Sequence, residues 1–167
     1  MPKSDQGIEY KRYQVVPRTL IFLFDENHRV LLLKGSPDKR LWAGLFNGVG
    51  GHIERGEDIL EAAHRELFEE TGISNVSLCF CGQIMIDVSD MLGVAIFLFR
   101  GKLIPADIEP SSEGSLSWVS IDALENVPLV EDLPILIPKI AAYQSKEDFI
   151  LGKYSYGVSG ELLVSLT

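Results

Sequence analysis

Residues 58–71 carry two patterns that pull in opposite directions, and few arrangements reconcile them. Ile59, Leu60, Ala63, Leu67 and Phe68 recur at helical spacing, which gives a helix one apolar side to pack on a sheet. Asp58 or Glu57 supplies an acidic start, and Gly72 suits a left-handed stop. On the same helix stand Glu66, Glu69 and Glu70, expected to face outward. At about 100° per residue they fall within roughly a third of the circumference, so their oxygens can converge. Like charges at these spacings cost about 0.2–0.5 kcal/mol per pair. Glu69 and Glu70, near the C-terminal end, also oppose the helix dipole, at about 0.3–1 kcal/mol each. A bound hard cation such as Mg²⁺ would turn that repulsion into ligation. A solvated acidic face is the ordinary reading of a charge run. It leaves the glycines, Glu57 and Arg65, which stand at fixed offsets from the cluster, without a reason.

Position for position, Gly51, Glu57, Arg65, Glu66, Leu67, Glu69, Glu70, Gly72 and Ile73 fill the pattern Gly-x5-Glu-x7-Arg-Glu-U-x-Glu-Glu-x-Gly-U, where U is bulky and apolar. In this the chain resembles the Nudix hydrolases, which cleave nucleoside diphosphates linked to another moiety. The resemblance implies an α/β/α sandwich with a mixed β-sheet. It implies Mg²⁺, with Mn²⁺ as a substitute, held by Glu66, Glu69 and Glu70 with the Gly50 carbonyl, and by Glu57 as an auxiliary ligand or water-held contact. Arg65 matches the arginine that orients the glutamates of the motif. A surface charge balancing Glu61 or Glu69 would place Arg65 in the same spot. The reaction implied is in-line attack of an activated water on phosphorus. Its proton acceptor is a glutamate of the motif, Glu66 or Glu69, or an acid from a later loop. Glu113 is the candidate there and Glu109 the substitute, with a plain solvated loop glutamate as the alternative.

Length and composition agree with one ordered domain spanning residues 1–167. The chain has 167 residues, 46% of them hydrophobic, enough for a proper core. Its formal charge of −9 argues against a nucleic-acid polymer as ligand, whereas a small nucleotide reached through metal ions remains compatible. Residues 1–14 lack the apolar stretch of a signal peptide, and runs such as 20–24 and 94–99 are too short to cross a bilayer. No membrane association and a cytoplasmic protein, as monomer or homodimer, are the expectation. Residues 13–24 and 29–33 read as strands joined by the turn Asp25-Glu26-Asn27-His28, followed by a loop over 35–44 and a short strand near 46–49. Further strands are expected at 76–88, 93–100, 116–119, 149–156 and 161–166, and a second helix over 135–144 with Pro138 in its first turn. Cys79 and Cys81, two apart on a strand, should share one face as small buried residues. His28, His52 and His64 read as a turn residue, a polar residue near the site and an exposed helix residue.

The motif says little about what is attached to the diphosphate. Outside it the chain resembles the 8-oxo-dGTP diphosphatase subgroup loosely. Asn47, in Phe46-Asn-Gly-Val-Gly-Gly51, matches a purine-contacting asparagine, and Glu131 and Asp132 match paired acids that read the base edge. Adjacent carboxylates can share a proton and so donate as well as accept. Leu129 stands where that subgroup has a stacking tryptophan, and Leu41 or Trp42 stands near its loop phenylalanine. A leucine does not stack a purine as an indole does. Helix capping by Glu131 or Asp132, a strand-end hydrogen bond by Asn47 and a loop anchor at Trp42 are the structural alternatives. The proline typical of ADP-ribose pyrophosphatases soon after the motif is absent, as are the tyrosine of diadenosine polyphosphate hydrolases and the signature of coenzyme A pyrophosphatases. The expected activity is therefore hydrolysis of a nucleoside triphosphate, of the oxidised kind such as 8-oxo-dGTP, to the monophosphate and pyrophosphate. An ADP-ribose or nucleotide-sugar pyrophosphatase is the alternative, and a non-catalytic nucleotide-sensing module is a third.

Overall fold

The computed structural model describes residues 2–7, 11–36, 42–104 and 114–167. Their strands are β1 (Gln14–Phe24), β2 (Arg29–Gly35), β3 (Phe46–Asn47), β4 (Leu78–Asp87), β5 (Leu92–Lys102), β6 (Gly114–Ser120), β7 (Ile150–Tyr156) and β8 (Leu162–Leu166). They form one mixed sheet in the order β3-β2-β1-β5-β4-β7-β8, with β6 also paired to β2. Two neighbouring pairs, β1 with β5 and β4 with β7, run parallel. A parallel pair needs a crossover, and a helix lies in each one: α1 (Ile59–Thr71) between β1 and β5, and α2 (Leu133–Ala142) between β4 and β7.

Alternation along the strands explains why each helix has a face to bury. Phe22 and Phe24 of β1 pack with Leu32, Ile84, Leu98 and Tyr154 against Leu133, Leu136, Ile137 and Ile140 of α2. The intervening Ile21 and Leu23 pack with Leu31, Leu33 and Phe99 against Ala63 and Leu67 of α1. Covered on both faces, the end of β1 reads as an unbroken apolar run. The result is the α/β/α sandwich expected from the motif. Among the described residues no helix is long and apolar enough to cross a membrane.

Local chemistry sets the helix ends. Asp58 accepts hydrogen bonds from the Leu60 and Glu61 amides, and Glu61 accepts from the Asp58 amide, forming a capping box. Gly72, at φ 73°, donates to the Phe68 carbonyl and ends the helix. The buried arc of α1 is narrower than the spacing of its apolar residues suggests. Ala62, Ala63, Leu67 and Thr71 are buried, while Phe68, a further 100° round from Leu67, is 56% exposed and Leu60 is exposed too. Helix α2 begins two residues earlier than expected, because the Asp132 carbonyl accepts from both Ile135 and Leu136. Pro134 rather than Pro138 thus occupies the first turn, and Pro138 lies inside the helix. The cysteines also differ from expectation: the register between β4 and β5 shifts between Phe80 and Gly82, so Cys81 is the extra residue of a bulge. That breaks the two-residue alternation, leaving Cys79 exposed and Cys81 buried, its thiol pushed up to about 12 chiefly by burial. His28 sits in its turn at φ 59°, whereas His64 is half-buried.

Candidate active site

The segment after β3 runs alongside β1 and brings its glycines under the acidic side of α1. Val49 exchanges backbone hydrogen bonds with Ile21, and the Gly51 carbonyl accepts from the Thr19 amide at 2.8 Å. Gly50, between them, turns the other way, and its amide donates to Glu70 Oε2 at 2.9 Å. Among the described residues no backbone amide reaches the Gly50 carbonyl. At both glycines a side chain would meet a neighbour, backbone at Gly50 and a movable carboxylate at Gly51. A Cβ on Gly50, at φ 150°, would collide with the Thr19 carbonyl, and a Cβ on Gly51 would come within 2.5 Å of Glu66 Oε1. The carboxylates of Glu66 and Glu70 therefore lie against this backbone rather than facing outward as the helix pattern suggested. The Glu66 side chain is only 14% exposed; Glu69, at 56%, is the one that faces solvent.

Arg65 holds the cluster together. Its Nε and Nη2 donate to the two oxygens of Glu57 at 2.6 and 2.9 Å, a bidentate pair. Nη1 donates to Glu66 at 2.9 Å and to Glu69 at 3.1 Å, and Nη2 also reaches the His52 carbonyl. Glu57 additionally accepts from the Glu54 amide, and with Arg65 as the larger cause its pKa is lowered to about 2. The same pairing raises the arginine's pKa, Glu57 contributing more than Glu66. Glu61, the other balancing partner expected for Arg65, is instead committed to the capping box. As placed, no three Asp, Glu, His or Cys side chains among the described residues are gathered into a group that could hold a metal ion. The donor chemistry nonetheless fits a hard cation: Glu57, Glu66 and Glu69 supply carboxylate oxygens around Arg65, and Glu70 supplies another beside Gly50, whose carbonyl accepts from no backbone amide among the described residues.

A cavity of about 470 Å³ opens on the other side of the same glycines. Gly50, Gly51 and His52 line one wall; Asn47, Trp42, Glu131 and Asp132 line it as well. Asn47 uses its side-chain carbonyl to accept from the Gly48 amide at 2.8 Å, the strand-end bond, which leaves the amide NH₂ to donate elsewhere. Trp42 is 44% exposed at the cavity wall and so is no core anchor. Its φ of 57° is rare for a bulky side chain. Asp132 stands at the N-terminus of α2 without making a side-chain capping bond. Burial, and then the neighbouring Glu131 charge, raise its pKa. Tyr154 beside it has its own pKa raised by burial and by Asp132, while its hydroxyl closes no hydrogen bond of normal geometry. Leu129, by contrast, does not line the cavity; it packs at the edge of the α2-side core. Glu109, Glu113 and Leu41 lie outside the described residues.

Several cavity residues are not singled out by any motif. Arg18 of β1, Ile96 of β5, Ile86 of β4, Tyr154 and Tyr156 of β7 and Leu162 of β8 close its floor and far side. The parallel registers that pair Arg18 with Ile96 and Ile86 with Tyr154 bring them together. Arg18 did carry a signal: it is the one charge within the run 15–24 that otherwise builds a core strand.

Known proteins give a consistent picture. A family model described as NUDIX domain matches residues 15–140. Oxidized purine nucleoside triphosphate hydrolase of Mus musculus is 30% identical over 126 residues, covering 72% of this chain and 79% of that protein. The protein of the same description from Danio rerio is 33% identical over 97 residues; this match spans 58% of the chain and 61% of that relative's length. Isopentenyl-diphosphate Delta-isomerase of Clavibacter sepedonicus is 29% identical over 143 residues, 75% of each. Among solved structures, the MutT protein of Bacillus halodurans superimposes with a TM-score of 0.74 at 25% identity, over 91% of this chain and 97% of that one.

Proposed function

The chain belongs to the NUDIX family, among its MutT-like nucleotide hydrolases, and we propose that it cleaves a nucleoside triphosphate, of the oxidised-purine kind such as 8-oxo-dGTP, to the monophosphate and pyrophosphate. One observation supports this most: the acidic side of α1 and the 470 Å³ cavity meet at the same two glycines, Gly50 and Gly51. A ligand seated in the cavity would thus project its phosphates toward Glu66 and Glu70. The cavity has the size of a small-molecule site, with an apolar lining and a few polar groups that fix orientation.

A divalent cation, Mg²⁺ or Mn²⁺, would be held by Glu66, Glu69, Glu70 and the Gly50 carbonyl with Glu57 in support, and would neutralise the bridging phosphates and acidify a water. The chain's own groups do the rest. Arg65 fixes the rotamers of Glu57, Glu66 and Glu69 through the hydrogen bonds described above. Glu69, the most exposed of the three, accepts the proton of the attacking water, or Glu113 of the later loop does. If Glu113→Gln leaves turnover unchanged with metal saturating, the role falls to Glu69. Asn47, Trp42, Glu131 and Asp132 hold the base: the amide NH₂ donates to it, the two carboxyl groups meet its polar edge, and the exposed indole offers an apolar plane.

A panel of nucleoside triphosphates, 8-oxo-dGTP, ADP-ribose, nucleotide sugars and isopentenyl diphosphate, assayed with Mg²⁺ and with chelator, tests the reading. Metal-dependent release of pyrophosphate from a triphosphate is expected. Cleavage confined to ADP-ribose or a sugar nucleotide would move the substrate class, isomerised isopentenyl diphosphate would replace hydrolysis altogether, and tight binding without turnover would make the chain a sensor.

A further inference from the structure

Four buried side-chain polar atoms among the described residues have no hydrogen-bond partner: Arg18 Nε, Thr19 Oγ1, Trp118 Nε1 and Tyr154 OH. Arg18, Thr19 and Tyr154 all border the cavity that adjoins the acidic helix, but the Thr19 side chain, in step with Ile21 and Leu23, belongs to the α1 face, and the Tyr154 hydroxyl faces Asp132. A buried polar group without a partner is uncommon in a finished structure, and where it borders a cavity a ligand is the natural partner. Arg18 is left as the orphan of the cavity, and it is telling because a guanidinium only donates and cannot turn into an acceptor. It lies on β1 opposite Ile96 of β5, bridges His52 on the glycine segment, and sits between apolar neighbours Leu20, Ile86 and Ile96 of the cavity floor.

We propose that Arg18 is a specificity-determining residue that selects a ring bearing a carbonyl, a 6-oxopurine such as guanine or hypoxanthine, over a 6-aminopurine. The chemistry is complementarity of donors and acceptors. The 6-oxo group accepts on both of its lone pairs, so arginine can donate to it in the oxidised and unoxidised base alike; N7 adds a second acceptor in guanine and hypoxanthine but carries a hydrogen in their 8-oxo forms. A 6-amino group would set donor against donor and leave the Arg18 Nε–H unpaired in a buried site, which is how a hydrogen-bonding site rejects the wrong ligand. The two purines also differ at N1, a donor beside the 6-oxo group and an acceptor beside the 6-amino group, so the share of the contrast that belongs to Arg18 is the part lost when Arg18 itself is replaced. This rests on the reading of the cavity as the site of the nucleobase.

Inosine and adenosine nucleotides differ only in the 6-substituent and the hydrogen on N1, which makes ITP against ATP, in wild type and Arg18 variants, the direct comparison. In the wild-type protein kcat/KM for ITP should exceed that for ATP by about tenfold or more, expressed in KM. Arg18→Met should bring the ratio to near unity, and Arg18→Lys, which keeps the charge and the stem but loses the planar donor pair, should leave it in between. An unaltered ratio in Arg18→Met with a wild-type melting temperature overturns the proposal. If that variant fails to fold, an unaltered ratio in Arg18→Lys overturns it equally. Binding of IMP and AMP without metal, followed by calorimetry, separates this from the substrate reading. If no triphosphate is hydrolysed, tighter binding of IMP than AMP that is lost in Arg18→Met still sustains the role of Arg18; equal affinities, or a preference that survives the substitution, end it.

Discussion

At the scale of single residues, the two glycines beside the carboxylates have separable duties. Gly50 meets backbone: its φ of 150° and the nearby Thr19 carbonyl leave no room for a Cβ. Gly51 meets only the end of a flexible side chain, Glu66. Gly50→Ala is therefore expected to lower stability by about 1–3 kcal/mol in chemical denaturation, whereas Gly51→Ala should melt near the wild type and lose activity because Glu66 is displaced. Equal stability loss in both would mean that the strand, not the carboxylate, requires Gly51. Arg65 offers a second test through pH. Its pairing lowers Glu57 to about 2 from an ordinary 4.5, so this contact contributes stability above pH 4.5 that fades as pH falls toward 2. With chelator present, Arg65→Met should show a smaller loss of stability between pH 5 and pH 3 than the wild type. The same variant should lose about 10–100-fold in activity at neutral pH. The identities of these residues were legible in the chain, because the motif fixes them by spacing. Their direction was not: Glu66 and Glu70 turn in against the glycine segment, which becomes visible only when that segment is laid along β1.

At the scale of elements, helix α1 is a case of stability sacrificed at one end and supplied at the other. Its C-terminal half carries carboxylates that oppose the dipole, while its N-terminus is closed by the Asp58–Glu61 box. Asp58→Ala should destabilise the protein by about 1 kcal/mol in urea and leave kcat unaffected, since the cap touches no group of the site; a large fall in kcat at full folding would tie the cap to catalysis. Both ends of this helix could be read from Asp58, Glu61 and Gly72, whose chemistry is local. The start of α2 could not, because the Asp132 carbonyl and not a capping side chain sets it. The bulge at Cys81 was equally hidden: an extra residue in one strand is defined only by its partner, and the partner β5 lies across a hairpin.

At the scale of the whole molecule, the site exists because two parallel pairings fold the sheet between two helices. The register of β1 with β5 and of β4 with β7 carries Arg18, Ile96, Ile86 and Tyr154 to one cavity floor, and the glycine segment joins that cavity to the carboxylates. Strand positions could be read along the chain to within a few residues, but the order of strands depends on crossovers that no local pattern encodes. This is why the acidic half of the site was plain in the sequence and the half that receives the ligand was seen only in Trp42, Asn47, Glu131 and Asp132. The central claim is that the glutamates of α1 hold the cation that makes a bound nucleotide's diphosphate cleavable. Glu70, whose Oε2 accepts from the Gly50 amide, is the residue at the junction. The most direct measurement is Mg²⁺-dependent hydrolysis of the best nucleotide by wild type and by Glu70→Gln, both shown folded by their melting curves. Activity should fall by about a hundredfold or more in the variant and not return at high Mg²⁺; wild-type turnover in Glu70→Gln would contradict the claim.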